Sequence, residues 1–323
     1  MNPLVTTLMG VTLSVPDIED VAHKFCRALG WRRLAEGLIR PMEERTWGIA
    51  PGQAGHRFII LGATAAQRGF LRLVSGREPE STALELRRGG WSSIEFIVQN
   101  VDVVHERLKR AEGFAIVSPP ENVDLTDVNS LLHRAFVARG PRELSLIFTQ
   151  ALGQPAKRDF PVAADLVGMI FNVVLRTDVL SKTRALYIGG LGMEPFLETQ
   201  LQNANFNSLL KLPLDTRLDI TMVKGDAPGT GEGSIELQGY PPGLLESLPV
   251  ASDQFPSGLA MVTYTSEDVE TAFQALGAAG ADILSAPVVI ESPLYRGGRS
   301  FTWRGAMGER LEIIERLWSV SLG

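Results

Sequence analysis

The chain repeats itself, and that repetition restricts the folds open to its 323 residues more than any single motif does. LSVPDIEDVAHKFCRALGW (Leu13 to Trp31) has a counterpart in VVLRTDVLSKTRALYIGGLGM (Val173 to Met193). In both, alternating apolar residues run into a helical pattern closed by Leu-Gly. IVQNVDVVHERLKRAEGFAIVSPP (Ile97 to Pro120) is matched by TYTSEDVETAFQALGAAGADILSAP (Thr263 to Pro287), each a strand, a short turn, an amphipathic helix and a strand ending at proline. Arg134-Ala135-Phe136 with Arg139-Gly140 recurs 165 positions later as Arg299-Ser300-Phe301 with Arg304-Gly305. Three matches in one order mark two duplicated halves, and each half divides again into strand, helix and several short strands.

The expected organisation is an N-terminal domain over 1–152, a linker over 153–165 and a C-terminal domain over 166–323. Pro155 and Pro161 interrupt any regular pattern in the linker. Each unit exposes one apolar sheet face. Pairing two units buries it and leaves a concave groove where a small molecule would sit.

Composition closes off several classes. Formal charge is -6 with no basic block, which excludes an electrostatic nucleic-acid footprint. The single cysteine, Cys26, excludes an internal disulfide framework and a Cys-rich metal site. The apolar N-terminus is broken by Pro16 and Asp17, short of the roughly 20 residues a spanning helix needs. The expected setting is therefore cytoplasmic. The expected partner is a small-molecule substrate or ligand, with a homodimer left open and neither nucleic acid nor membrane involved.

The fourfold recurrence resembles the vicinal oxygen chelate superfamily, which includes glyoxalase I, bleomycin and fosfomycin resistance proteins and type I extradiol dioxygenases. The resemblance implies an α+β fold of four βαβββ modules paired into two duplicated glyoxalase-like domains. It also implies metal ligands at one position in the first strand and one in the last strand of each module. Those positions hold Gly10, Ser93, Asn172 and Met261 in the first strands, and Arg72, Ser145, Glu236 and Glu312 in the last. None is histidine. The N-terminal half is left without a plausible metal site.

In the C-terminal half, Asn172, Glu236 and Glu312 are the candidate catalytic residues. Glu236 and Glu312 are also the candidate ligands of an oxygen-preferring cation, magnesium or manganese, if any cofactor binds at all. Without a cation, two carboxylates facing one cavity cannot both ionise easily, and one becomes a proton shuttle. Arg299 is the candidate anion clamp, as is Arg296 in the same loop. The competing role for a repeated arginine is support of the duplicated fold. Tyr264, Met261 and Trp303 are the candidate substrate-binding residues, with plain core packing as the alternative. His23 and His105 fall on module helices, His56 in a glycine-rich turn and His133 near the mouth of the first groove. Cys26 reads as a packing residue, and GDAPGTGEGS (Gly225 to Ser234) as a loop between strands.

The expected activity is acid/base or cation-assisted chemistry of lyase or isomerase type on a small apolar or aromatic oxygen-bearing molecule. A non-catalytic binding or resistance protein is the alternative. A ring-cleavage dioxygenase ranks third, because an iron site without imidazole is chemically poor.

Overall fold

The computed structural model describes residues 2–49, 56–64, 67–76, 88–124, 132–152, 160–202, 213–227, 231–245, 255–291, 295 and 297–315. Four modules follow one another. The first comprises β1 (Leu8–Val15), α1 (Ile18–Leu29), β2 (Arg32–Leu38), the short α2 (Pro41–Thr46), β3 (Arg57–Gly62) and β4 (Phe70–Ser75). The second comprises β5 (Gly90–Val98), α3 (Val101–Leu108), β6 (Ala115–Ile116), β7 (Glu121–Asp124), β8 (Leu132–Arg139) and β9 (Ser145–Leu152). The third comprises β10 (Val167–Thr177), α4 (Leu180–Arg184), β11 (Glu194–Leu201), β12 (Leu218–Lys224) and β13 (Ser234–Gly239). The fourth comprises β14 (Gly258–Ser266), α5 (Val269–Ala278), β15 (Asp282–Ile283), β16 (Val288–Val289), β17 (Arg299–Arg304) and β18 (Arg310–Glu315).

Three of the module helices begin at a short polar side chain that satisfies the first free amides, while α4 follows Val179 without such a cap. Asp17 accepts from Glu19 N and Asp20 N, Asn100 from Val103 N, and Asp268 from Thr271 N. α1 buries Ile18, Val21, Ala22, Phe25, Ala28 and Leu29 along one stripe and stops at Gly30, whose φ of 77° is left-handed. In the third module the helix widens into a π-helical turn over Ala185–Gly190, which carries the buried Tyr187.

The modules do not pair as the repeat order predicts. β1 runs antiparallel to β14, and β5 runs antiparallel to β10. The first and fourth modules therefore share one nine-stranded sheet, and the second and third share the other. The 153–165 segment joins two modules of a single sheet and does not separate two domains; its residues 153–159 lie outside the described residues. The physical reason is that every module leaves its first strand as an edge of the same apolar pattern, and an edge must be paired. The repeat identifies the edges without saying which ones meet.

Residues of both sheets and of α1, α3 and α5 contribute to one large hydrophobic core. The sheets are tied across it by Trp31 Nε1 to Val167 O (3.2 Å), Trp91 Nε1 to Arg310 O (2.7 Å) and Tyr264 OH to Gly233 O (2.8 Å). At Gly69 the β3–β4 turn touches β10. Its φ is +68° and a Cβ there would lie 2.3 Å from Ile170 O, so only glycine fits. Among the described residues no helix is long and apolar enough to cross a membrane.

One buried carboxyl in the β17–β18 turn sets a pH dependence. Glu309 is fully buried, accepting from Met307 N (2.9 Å) and Tyr187 OH (3.1 Å), and burial pushes its pKa up to about 7. A carboxyl raised from 4.5 contributes stability that is fully present below about pH 4.5 and is lost as pH rises through about 7. Glu309→Gln stays neutral at every pH. Thermal midpoints measured from about pH 5 to 8 are therefore expected to decline less steeply in the variant than in the parent. Identical slopes would refute the assignment.

Candidate functional site

Each sheet turns one face away from the shared core, and those faces hold different chemistry. In the module 1–4 cup, Glu312 of β18 is fully buried. Its Oε1 accepts from Trp47 Nε1 (2.8 Å) and Tyr295 OH (2.6 Å). Its Oε2 accepts from Thr263 Oγ1 (2.8 Å) and Arg72 Nη2 (3.0 Å). Arg72 of β4 also donates from Nε to Thr12 Oγ1 (2.9 Å) and from Nη1 to Tyr295 OH (2.8 Å). Around this network an apolar cluster that includes Met9, Trp47, Phe58, Phe70, Met261 and Tyr295 is packed, with Phe255 stacked on Trp47. The cup is filled.

The module 2–3 groove is different. Register across its sheet sets Ile147 of β9, Glu95 of β5, Asn172 of β10 and Ser234 of β13 in one transverse row. The next row holds Ser145, Ser93, Val174, Glu236 and Met222. A register shift between Ile170 and Asn172 places Phe171 in an apolar cluster with Ile97, Phe160 and Ala163, while Asn172 meets Glu95. Asn172 Nδ2 donates to Glu95 Oε2 (2.8 Å), Thr149 Oγ1 donates to Glu95 Oε1, and Ser234 Oγ donates to Asn172 Oδ1 (2.8 Å). Asn172 thereby bridges Glu95 and Ser234, whose hydroxyl also lies 2.9 Å from Gly231 O.

Burial, which favours the neutral acid, pushes the Glu95 carboxyl up to about 7. The hydrogen bonds from Thr149 and Asn172 pull the other way, and the charge of Glu236 adds to the rise. Burial also raises the pKa of Glu236, against the opposing pull of a hydrogen bond from Gln238 Nε2 (2.8 Å) and of nearby Arg176. Glu95, Glu236, Ile147, Val137 and Met222 all remain partly exposed, so this face is open where the other is packed.

The expected pairing of Glu236 with Glu312 does not form, because β13 and β18 belong to different sheets. The proposed set of Asn172, Glu236, Met261 and Glu312 divides two and two. What Glu236 meets instead is Glu95, two residues beyond Ser93 on the same face of β5, which sequence reasoning missed by fixing one position per strand. Its signal was a lone acidic residue inside WSSIEFIV.

Neither face suits the divalent cation that the fold implies. One offers Gly10, Arg72, Met261 and Glu312, where the only carboxylate already faces a guanidinium. The other offers Ser93, Ser145, Asn172 and Glu236, with no imidazole and with the amide oxygen already accepting from Ser234. Among the described residues no group of three His, Cys, Asp or Glu side chains is placed to hold an ion.

Of the remaining candidates, Arg299, Trp303 and Tyr264 lie away from both faces. Arg299 donates from Nη2 to Glu315 Oε1 (3.1 Å) and stands 4.0 Å from Glu270 in the first turn of α5. Arg134 likewise donates from Nη2 to Asp102 Oδ1 (2.8 Å) in the first turn of α3. The repeated arginine thus ties a strand to its module helix, and the clamp role is replaced by this structural one. Arg296 lies outside the described residues, as do residues 228–230 of the glycine-rich loop. Trp303 packs 5.2 Å from the Tyr187 ring, and Tyr264 is fully buried in the shared core. Met261 is sealed in the apolar cluster of the filled cup. All three are core. His23 and His105 do sit on α1 and α3, while His133 is buried against Phe160, with its pKa lowered by that burial.

No protein-family profile and no curated protein matches the sequence. Solved structures do match the fold. Glyoxalase I from Zea mays is similar with a TM-score of 0.62 at 16% identity, over 96% of this chain and 92% of that one. A putative dioxygenase from Bacillus subtilis is similar with a TM-score of 0.62 at 11% identity, over 97% of this chain and 86% of that one. The chain has the vicinal oxygen chelate fold, an α+β architecture built from four glyoxalase-like modules.

The geometry around Glu95 predicts a carboxyl that titrates near 7, far above the usual 4.5. Carbon-13 NMR of the glutamate carboxyls is expected to show, beside the resonance of Glu309, a second one titrating near 7 that is absent in Glu95→Gln. Asn172→Ala, which removes a bond to the charged form, is expected to move it higher still. A Glu95 midpoint below about 5 in the intact protein would contradict this account.

Proposed function

We propose that the protein is an enzyme that shifts a proton between carbon and oxygen on a small, partly apolar, oxygen-bearing molecule held in the module 2–3 groove. The observation that carries this reading is the pair Glu95 and Glu236. Both are raised in pKa by burial, both border an open face, and they are set apart by a single intervening strand, β10. Adjacent strands lie about 4.8 Å apart, so a molecule lying across β10 is flanked by both carboxyl groups.

As the carboxylate, Glu95 takes a proton from carbon beside a carbonyl. The C–H electron pair becomes the C=C bond of an enol, and the carbonyl oxygen receives the proton that burial favours on Glu236. Return of a proton to the other face or to the neighbouring carbon gives the epimer or isomer, and loss of a leaving group gives elimination. No electrons are gained or lost overall. A base with a pKa near the working pH is the most efficient compromise between being deprotonated and being basic. Thr149 and Asn172 hold the carboxylate by hydrogen bonds, which resist its rotation out of line. Val137, Ile147 and Met222 supply apolar walls for the rest of the molecule.

The test is exchange of carbon-bound hydrogen in D2O, followed by NMR over a panel of small aryl and alkyl carbonyl compounds and hydroxy acids. The intact protein is expected to accelerate exchange for at least one class, with a rate rising through about pH 7 as Glu95 ionises. Glu95→Gln is expected to lower that rate by about 10²-fold or more, and Glu312→Gln to leave it unchanged. Binding without exchange would instead identify a sequestering protein, and full activity in Glu95→Gln would remove the proposal's support.

A further inference from the structure

The filled cup carries an inference that does not depend on the activity proposed for the other groove. We propose that Arg72 is the resident cation of the module 1–4 cup: its guanidinium stands in for a bound ion, closes the cup to ligands and clasps the first module to the last.

A carboxylate buried without neutralisation is strongly unfavourable, so Glu312 needs a positive partner from somewhere. Among the residues at the two implied ligand positions of each module in this cup, Arg72 alone is positive, and it occupies the position in β4 that corresponds to Glu312 in β18. Each of its three nitrogens has an acceptor inside the cup, Thr12, Tyr295 and Glu312, and these come from β1, the segment before β17 and β18. Two aromatic rings lie against the guanidinium as well. The guanidinium carbon lies 4.8 Å from the Trp47 ring centroid and 5.9 Å from that of Tyr295.

The guanidinium is thus held through all three of its nitrogens and beside two aromatic rings. Glu312 accepts two donors on each oxygen. An incoming divalent ion would have to displace the guanidinium and would find Glu312, the nearby buried Glu43, two threonine hydroxyls and no imidazole. A ligand would have to displace Trp47, whose other contacts include Phe255. The side chains thus provide both ion and lid. Because Arg72 and Glu312 are 240 positions apart, the pair also fastens the two ends of the chain together beside the β1–β14 ladder.

Chemical rescue tests this directly. In the full-length protein, Arg72→Ala is expected to lower the thermal midpoint by on the order of 10 °C. Guanidinium chloride at tens of millimolar is expected to recover part of that loss, and sodium chloride at equal concentration is expected not to. The recovery is expected to vanish in Arg72→Ala/Glu312→Ala and to be absent in the parent. Arg72→Met/Glu312→Leu, which removes both charges, is expected to be more stable than Arg72→Ala.

Two results overturn the proposal: an unchanged midpoint in Arg72→Ala, or a loss that guanidinium does not relieve. Should Arg72→Ala fail to fold, folding of the Met/Leu pair supports the clasp, and failure of both overturns it. Manganese titration of the parent gives a second readout. Binding that is lost in Glu312→Gln would show a cup still open to ions and would overturn the proposal independently of any exchange activity.

Discussion

The structure hangs on the antiparallel pairing of first strands, β1 with β14 and β5 with β10. Each module alone presents one unpaired edge and one apolar face, neither tolerable in water. Joining two edges completes a sheet, and the helix-bearing faces of the two sheets then share a core. Which edges join decides which side chains share a concave face. Exchange of partners would have placed Glu236 and Glu312 in one sheet. The observed pairing gives each a different neighbour and so a different chemistry.

Those neighbours show two physical solutions to a carboxyl withdrawn from water. Glu312 meets a guanidinium and three further donors, so its charge is matched inside the protein. Glu95 meets two neutral donors and another acid, so a proton is the available source of neutrality and its pKa rises to about 7. The first solution is rigid, because a buried ion pair broken on one side leaves an uncompensated charge. The second is labile, since a proton can leave and return at neutral pH. Lability of that kind is what an acid/base step requires and a clasp must avoid.

Much of the architecture was legible in the sequence, because it depends on local signals that the duplication repeats. Asp17, Asn100 and Asp268 start helices by satisfying amides within three residues, and Gly30 ends one by adopting a left-handed backbone. Such features need no knowledge of the rest of the chain. The site was only half legible for the complementary reason. Asn172 and Glu236 were singled out by the resemblance, but their partner Glu95 belongs to a strand whose pairing is a long-range fact. Trp303 and Tyr264 misled because an aromatic on a strand reads the same whether its face meets a ligand or the core. Here both meet the core.

The division of labour between the two faces follows from how a duplicated fold can be stabilised. Strand ladders and a shared core position both cups equally well, so neither cup must contain a reactive group for the chain to fold. One can then be packed for cohesion. Trp47, Phe255 and the Arg72–Glu312 network seal the face formed by the first and last modules, where closure links residues hundreds of positions apart. The modules next to each other in sequence are already connected by a short segment, and the face they form has less need of such a seal. It is there that Glu95 and Glu236 remain partly exposed, with buried carboxyls that would be a liability in a closed core. Their persistence on the open face, rather than the closed one, is the physical reason to look for chemistry between the second and third modules.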